Sequence, residues 1–346
     1  MKIFYGVQGT GNGHITRARA IAPKLAAAGA EVTWLFTGRK QDGFCEMEVF
    51  GDYLWREGLT FQTRHGNVQY VNTALKNNLI KLVSDIRSLD LTGYDLVISD
   101  FEPVTAWAAR FRGIKSLGIG HQYAFGKDIP VAGADFMGVQ VLKWFAPVTV
   151  GVGVHWHHFN DVIIPPIIQT DVPRKSPIEG KMIVYLPFEE VSEIQSLLKP
   201  FSGYEFHVYH PKGDQPVSES FPHIQIKPVS RQAFQDDFAD CAGVICNAGF
   251  ELPSEALHFG KKLLVKPLHG QMEQLSNALA LDQLNLGRVM HDLDAGVVES
   301  WLESGVSHNV QYPDVPQAIA DWIMQGDHTV TKEWVQSIWD RCQRIN

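Results

Sequence analysis

Glu251-Leu-Pro-Ser-Glu255-Ala-Leu-His-Phe-Gly260, preceded by Asn247-Ala-Gly249, decides how this chain is read. The apolar run Val244-Ile-Cys246 leads into it, and a short helical pattern follows. A second apolar run, Leu263-Leu-Val265, leads into a loop that opens another helix near Gln271. Two strand-loop-helix units therefore place a Gly turn, the carboxylate of Glu255 and the pair Glu273-Gln274 at one edge of a parallel sheet. Open α/β sheets bind their ligands at that edge. A helix N-terminus there offers free N–H groups and partial positive charge, which suit a phosphate. A carboxylate suits ribose hydroxyls, and an acid-amide pair suits sugar hydroxyls. The arrangement fits a nucleotide sugar.

Outward from this stretch, the N-terminal residues repeat the theme. Ile3-Phe-Tyr5 is a short strand, Gly9, Gly11 and Gly13 form a loop, and a helix is expected from about His14 to Ala28. Ile15, Ala18, Ile21, Ala22 and Leu25 give it an apolar face at helical spacing. Pro23 should bend it, and Gly29 should end it. Glu31 to Phe36 is the next strand, so the opening reads as Rossmann-like. Tyr94 to Asp100 reads as a buried strand ending in a carboxylate, with a helix over Val104–Phe111. Lys115 to Ile119 is a strand running into His121-Gln122. Residues 67–89 look helical. Residues 155–180, with Pro165, Pro166, Pro173 and Pro177 and no period, read as a linker. The α/β pattern restarts with strands at Lys181–Leu186 and Tyr204–Tyr209 and a helix over Ser192–Leu198. Thr331 to Arg344 carries Trp334, Ile338, Trp339 and Cys342 at helical spacing.

The bulk numbers limit the function. At 346 residues the chain has room for two domains. Its formal charge of −8 leaves no basic field for nucleic acid. The longest weakly polar stretch, Val139 to Val154, contains Lys143, Pro147 and two glycines, so no membrane span is expected. Met1 to Tyr5 begins a strand rather than a signal peptide. Cys45, Cys241, Cys246 and Cys342 match no zinc or disulfide spacing, which favours buried free thiols and a cytoplasmic setting.

Gly-Thr-Gly-Asn-Gly-His14, Val-Ile-Ser-Asp100 and the series Asn-Ala-Gly249, Ser-Glu255-Ala, Gly260, Pro267, Glu273-Gln274, Asn277-Ala and Gly287 resemble GT-B glycosyltransferases. The bacterial peptidoglycan N-acetylglucosaminyltransferase and the UDP-glucuronosyl- and glucosyltransferases are the nearest likenesses. The resemblance implies an α/β protein of two Rossmann-like domains with parallel sheets facing a central cleft. It implies an acceptor domain over 1–165, a nucleotide-sugar domain over 166–328, and a C-terminal helix over 329–346 crossing back to the first domain. It places the donor, expected to be a UDP-sugar, against Gly249, Phe250, Ser254, Glu255, Glu273, Gln274 and Asn277. Hexosyl transfer with inversion is implied by the family alone. Two departures stand out. Leu-Pro-Phe-Glu189 replaces a Gly-rich turn beside the donor phosphates, and Asn247-Ala-Gly249 replaces His-Gly-Gly.

Individual residues have competing readings. His14 is either a general base for an acceptor hydroxyl or a helix cap. Asp100 either fixes the His14 tautomer or caps the helix near Pro103. Glu255 binds ribose or is a first-turn charge. Glu273 and Gln274 touch sugar or sit on a surface helix. Gly11, Asn12, Gly13 and Arg17 line a phosphate or acceptor loop, although Arg17 and Arg19 also read as solvated or ion-paired. His121 and Gln122 could line the acceptor side. His155, His157 and His158 lack a carboxylate or thiol partner for a metal site. A metal-free mechanism without a cofactor is expected. The acceptor, whether glycan, lipid-linked sugar or small molecule, stays open, as does peripheral membrane contact. A nucleotide-sugar epimerase of the same fold, an NAD(P) oxidoreductase and an inactive sugar-nucleotide binder are the alternatives. For the oxidoreductase, Gly9-x-Gly11-x-Gly13 misses the dinucleotide spacing, but Arg39 could meet a 2′-phosphate.

Overall fold

Runs of apolar residues flanked by glycine turns build two parallel sheets. The computed structural model describes residues 1–59, 63–64, 67–68, 78–134, 136–170, 174–216 and 220–345. In the first half, β1 (Lys2–Gln8), β2 (Glu31–Thr37) and β3 (Leu54–Trp55) precede a small hairpin of β4 (Thr63–Arg64) and β5 (Asn67–Val68). Then come β6 (Leu96–Asp100), β7 (Ser116–Gly120), β8 (Val150–Val154) and β9 (Ile163–Ile164). The sheet order is β3-β2-β1-β6-β7-β8-β9, all parallel. Helices α1 (Asn12–Ala27), α2 (Leu79–Ser88), α3 (Pro103–Phe111) and α4 (Phe136–Trp144) accompany it.

The second half repeats the plan with β10 (Lys181–Tyr185), β11 (Glu205–His210), β12 (Ile224–Pro228), β13 (Gly243–Asn247), β14 (Lys262–Lys266) and β15 (Arg288–Val289). Their order is β12-β11-β10-β13-β14-β15, again parallel. Helices α5 (Val191–Leu198), α6 (Arg231–Asp240), α7 (Glu251–His258), α8 (Met272–Gln283) and α9 (Ala295–Ser304) belong to it. Every residue of β6, β7 and β13 is buried, as expected of a sheet covered on both faces. In each sheet the strand order reverses once, between β1 and β6 and between β10 and β13. Loops leaving those strands diverge and open a crevice.

Several sequence expectations need correction. The expected helix over 67–89 is a strand at Asn67–Val68 and a helix only from Leu79, capped by Asn78 accepting from Lys81 N at 2.9 Å. Residues 69–77 lie outside the described residues. The supposed linker over 155–180 contains β9, because Ile163 and Ile164 are fully buried against β8. The C-terminal stretch splits: after β16 (Asn309–Gln311) and α10 (Val315–Gln325), α11 covers only Lys332–Trp339. Gln343–Ile345 is then β17, antiparallel to β16. Trp339 Nε1 donates to Ile163 O at 2.7 Å, placing α11 against the first sheet. The first helix starts at Asn12 and runs through Pro23. Cys45 is exposed, not buried, and all four thiols are free.

Candidate active site

The first crevice is set by register. Val7 of β1 lies beside Asp100, the last residue of β6, and α1 begins a few residues beyond β1. His14, in the first turn of α1, therefore meets Asp100: its Nδ1 lies 2.7 Å from Asp100 Oδ1. A ring protonated at Nδ1 donates to that carboxylate and leaves Nε2 with its lone pair. Nε2 makes no hydrogen bond among the described residues, and the side chain keeps 14% of its surface open. Asp100 is fully buried. It does not cap α3; that cap is Glu102, whose carboxylate accepts from Val104 N and Thr105 N. Phe101, immediately after Asp100, has a positive φ of 52°, a strained backbone for a bulky residue that turns the chain sharply at the site.

Arg17, three residues after His14 on the same helical face, is buried rather than solvated. Its Nε donates to Asp100 Oδ2 at 2.8 Å and its Nη2 to Asp100 Oδ1 at 2.6 Å, a bidentate fork. Its Nη1 donates to Glu251 Oε1, from the start of α7 in the other half. Three of its five N–H groups go to carboxylates, so its charge is already paired inside the protein. Burial alone would raise Asp100, but Arg17 and His14 more than offset it and hold the carboxyl below its usual range. Burial pushes Glu251 up to about 8 despite Arg17. Glycines make room for this group: a Cβ on Gly13 would stand 2.9 Å from Glu251 Cγ, and one on Gly120 3.0 Å from Arg17 Nη2. Glu251 was missed as a site residue. The legible signal was its spacing from Glu255, which places two acids on one helix face.

At the second crevice the candidates divide. A Cβ on Gly249 would meet nothing within 4 Å, and the same holds for Gly11. Glu255 begins the second turn of α7, so it is not a first-turn charge. Its half-buried carboxylate makes no hydrogen bond among the described residues, and burial pushes it up to about 7, with Arg231 opposing. Glu273 Oε1 accepts from Gln122 Nε2 at 3.0 Å. The other candidates are committed to internal contacts. Gln274 is buried, not on the surface, and its Oε1 accepts from Leu268 N at 3.0 Å. Asn277 Nδ2 donates to Ala248 O at 3.0 Å, and its Oδ1 lies 2.7 Å from His121 Nε2. Ser254 Oγ accepts from Trp156 Nε1 at 2.8 Å. Phe250 stacks on His121, ring centroids 4.1 Å apart. His121 is thus a buried packing residue with no open face, and Gln122 is likewise buried.

The two departures have structural counterparts. Glu189 Oε1 accepts from Lys266 Nζ at 2.8 Å, a buried pair at the edge where β10 and β14 end. Asn247 Nδ2 donates to Lys266 O at 3.1 Å. Asn12 Oδ1 accepts from Arg39 Nη2 at 3.0 Å, and Arg39 Nε donates to Gly9 O. Arg39 therefore ties the Gly loop together instead of waiting for a 2′-phosphate. His155, His157 and His158 each accept a backbone N–H at Nδ1. No group of three metal-ligating side chains occurs among the described residues.

Residues 1–133 and 145–304 match the family described as Glycosyl transferase family 1. The chain belongs to this family. Three solved structures share its fold. The glycotransferase of kitacinnamycin has a TM-score of 0.62 and 14% identity, over 94% of this chain and 98% of that one. SsfS6 of Streptomyces sp. SF2575, complexed with thymidine diphosphate, gives 0.58 and 14%, over 94% and 99%. MurG of Acinetobacter baumannii gives 0.54 and 16%, over 94% and 99%. No curated protein matches the sequence. This glycosyltransferase is thus a GT-B protein, with its two parallel sheets as the paired Rossmann-like units.

Proposed function

We propose that this glycosyltransferase moves a sugar from a nucleoside-diphosphate donor, with UDP-sugars the first choice, to an acceptor hydroxyl, with inversion and without a metal ion. The observation that carries the reading is His14 Nδ1 at 2.7 Å from Asp100 Oδ1, beside an open glycine loop. With Nδ1 protonated, His14 Nε2 takes the acceptor proton as the acceptor oxygen attacks the anomeric carbon. Asp100 fixes the tautomer and stabilises the imidazolium that forms. The leaving diphosphate meets backbone N–H groups around Gly249 and the N-terminus of α7. Glu255 receives the ribose hydroxyls and Glu273 a sugar hydroxyl. Residues 1–165 then hold the acceptor, 166–328 the donor, and 329–346 return to the first unit.

A cytoplasmic location with peripheral membrane contact fits the outer face of the first half. Ile80, Phe111 and Trp144 are 86%, 68% and 43% exposed. Arg110 lies over the Trp107 and Trp144 rings, and Lys143 over Trp144. Apolar side chains ringed by cations suit an anionic lipid surface. No helix is long and apolar enough to cross a membrane among the described residues.

Thermal shift tests the donor class. UDP or thymidine diphosphate at about 100 times its dissociation constant adds roughly 2.7 kcal/mol, and NAD(P)H adds nothing. The same assay repeated with EDTA gives the same shift. Stabilisation by NAD(P)H alone sinks the reading.

A further inference from the structure

The group around Arg17 has one member that the reaction above does not use. Glu251 reaches from α7, in the donor half, to the buried guanidinium that also holds Asp100. It is 8% exposed, and its second oxygen, Oε2, is buried without a partner among the described residues. One cation therefore faces two carboxyl groups, one from each half. Arg17 Nη2 also lies 2.9 Å from His14 Nδ1. The rigid guanidinium plane passes any shift of Glu251 on to Asp100 and to the His14 ring, because its donors are fixed in one fork. The groups facing Glu251 are Arg17 from α1, Asp100 from β6 and Glu255 from its own helix. Tyr5 of β1 and Tyr123 are further titratable groups near Asp100.

We propose that Glu251 is a positioning residue that works through Arg17 on the His14–Asp100 pair, so that the base is fully assembled only while the two halves are in contact. This rests on His14 being the base. An open molecule leaves Arg17 Nη1 without its carboxyl partner from the other half. The guanidinium, already forked on Asp100 and against His14 Nδ1, is then held from one side only and can tilt on that fork. A base that is complete only on closure limits transfer to water while the halves are apart. The coupling also has an electrostatic side. Burial holds a proton on Glu251 up to about pH 8. Its loss adds one negative charge to a group in direct contact with the His14 ring.

The test is NMR on histidine-15N-labelled, ligand-free protein, with His14→Gln to assign the His14 signals. In the wild type we expect His14 as the Nδ1–H tautomer, with a second inflection near pH 8 that reports Glu251. Glu251→Gln, which keeps an amide oxygen for Arg17, should keep the tautomer and erase only the second inflection. Glu251→Ala should mix the tautomers. It should also slow hydrolysis of UDP-glucose or thymidine-diphosphate glucose at least tenfold, with nucleotide affinity within twofold of wild type. Should Glu251→Ala not fold, the Gln variant alone decides. An unchanged second inflection in Glu251→Gln, or none in the wild type, overturns the proposal. If instead His14→Ala turns over donor normally, the base reading has failed and not merely the role of Glu251.

Discussion

His14 and Asp100 act as one unit if the transfer reading holds, and their variants should behave as one. His14→Ala should lose about 10²–10⁴-fold in turnover, the usual worth of a general base, while binding nucleotide normally. Asp100→Asn should lose less, and the double variant should be little worse than His14→Ala. Rates for the four proteins, with nucleotide affinities in parallel, give the answer, and additive losses would separate the pair. Glu255 makes a second prediction. Its carboxyl is pushed up to about 7, and only the ionised form accepts strongly from two ribose hydroxyls. Nucleotide affinity should therefore rise with pH through 7, by about tenfold for each unit that binding moves the carboxyl down. Calorimetry at pH 6 and pH 8 measures this, and Glu255→Gln should flatten the dependence. His14 and Asp100 were legible because residue type and strand-end position coincide. The pairing of Arg17 with Glu251 was not, because an ion pair between residues 234 apart leaves no local pattern.

The glycines at the crevices separate structural need from ligand space. Gly13→Ala places a Cβ 2.9 Å from Glu251 Cγ, and overpacking of this kind costs about 1–3 kcal/mol. Gly249 has nothing within 4 Å and no positive φ. Gly249→Leu should leave the thermal midpoint nearly unchanged yet weaken nucleoside diphosphate binding at least tenfold. A stable Gly249→Leu protein with normal affinity would move the phosphate elsewhere. Strands were the most legible elements, since β1, β6, β13 and β14 are near-continuous apolar runs buried on both faces. Periodicity failed where a local alternative won: Asn67 and Val68, expected in a helix, pair in a small hairpin, and the described helix starts at Leu79. Around Arg344 the apolar spacing of Trp334, Ile338 and Cys342 ran past the true helix end, because strand pairing with Asn309–Gln311 took over.

The fold as a whole was readable because the β-loop-α pattern occurs twice, each time with glycines at the strand ends. What no single sequence displays is the seam. Trp156 with Ser254, His121 with Asn277, Gln122 with Glu273 and Ala132 with Ser276 join the halves through hydrogen-bonding contacts. Three of these engage residues that the family likeness assigned to the donor. If those residues hold the donor, the protein acts as its own competitive ligand, and a nucleotide sugar must displace protein groups as well as water. Measured affinity is then the intrinsic affinity multiplied by the fraction of molecules whose seam is open. Ser276→Ala removes the bond to Ala132 N without altering a proposed site residue. It should tighten nucleotide binding a fewfold while lowering the thermal midpoint of the free protein. On that reading, a gain in stability at the seam is a loss in hold on substrate.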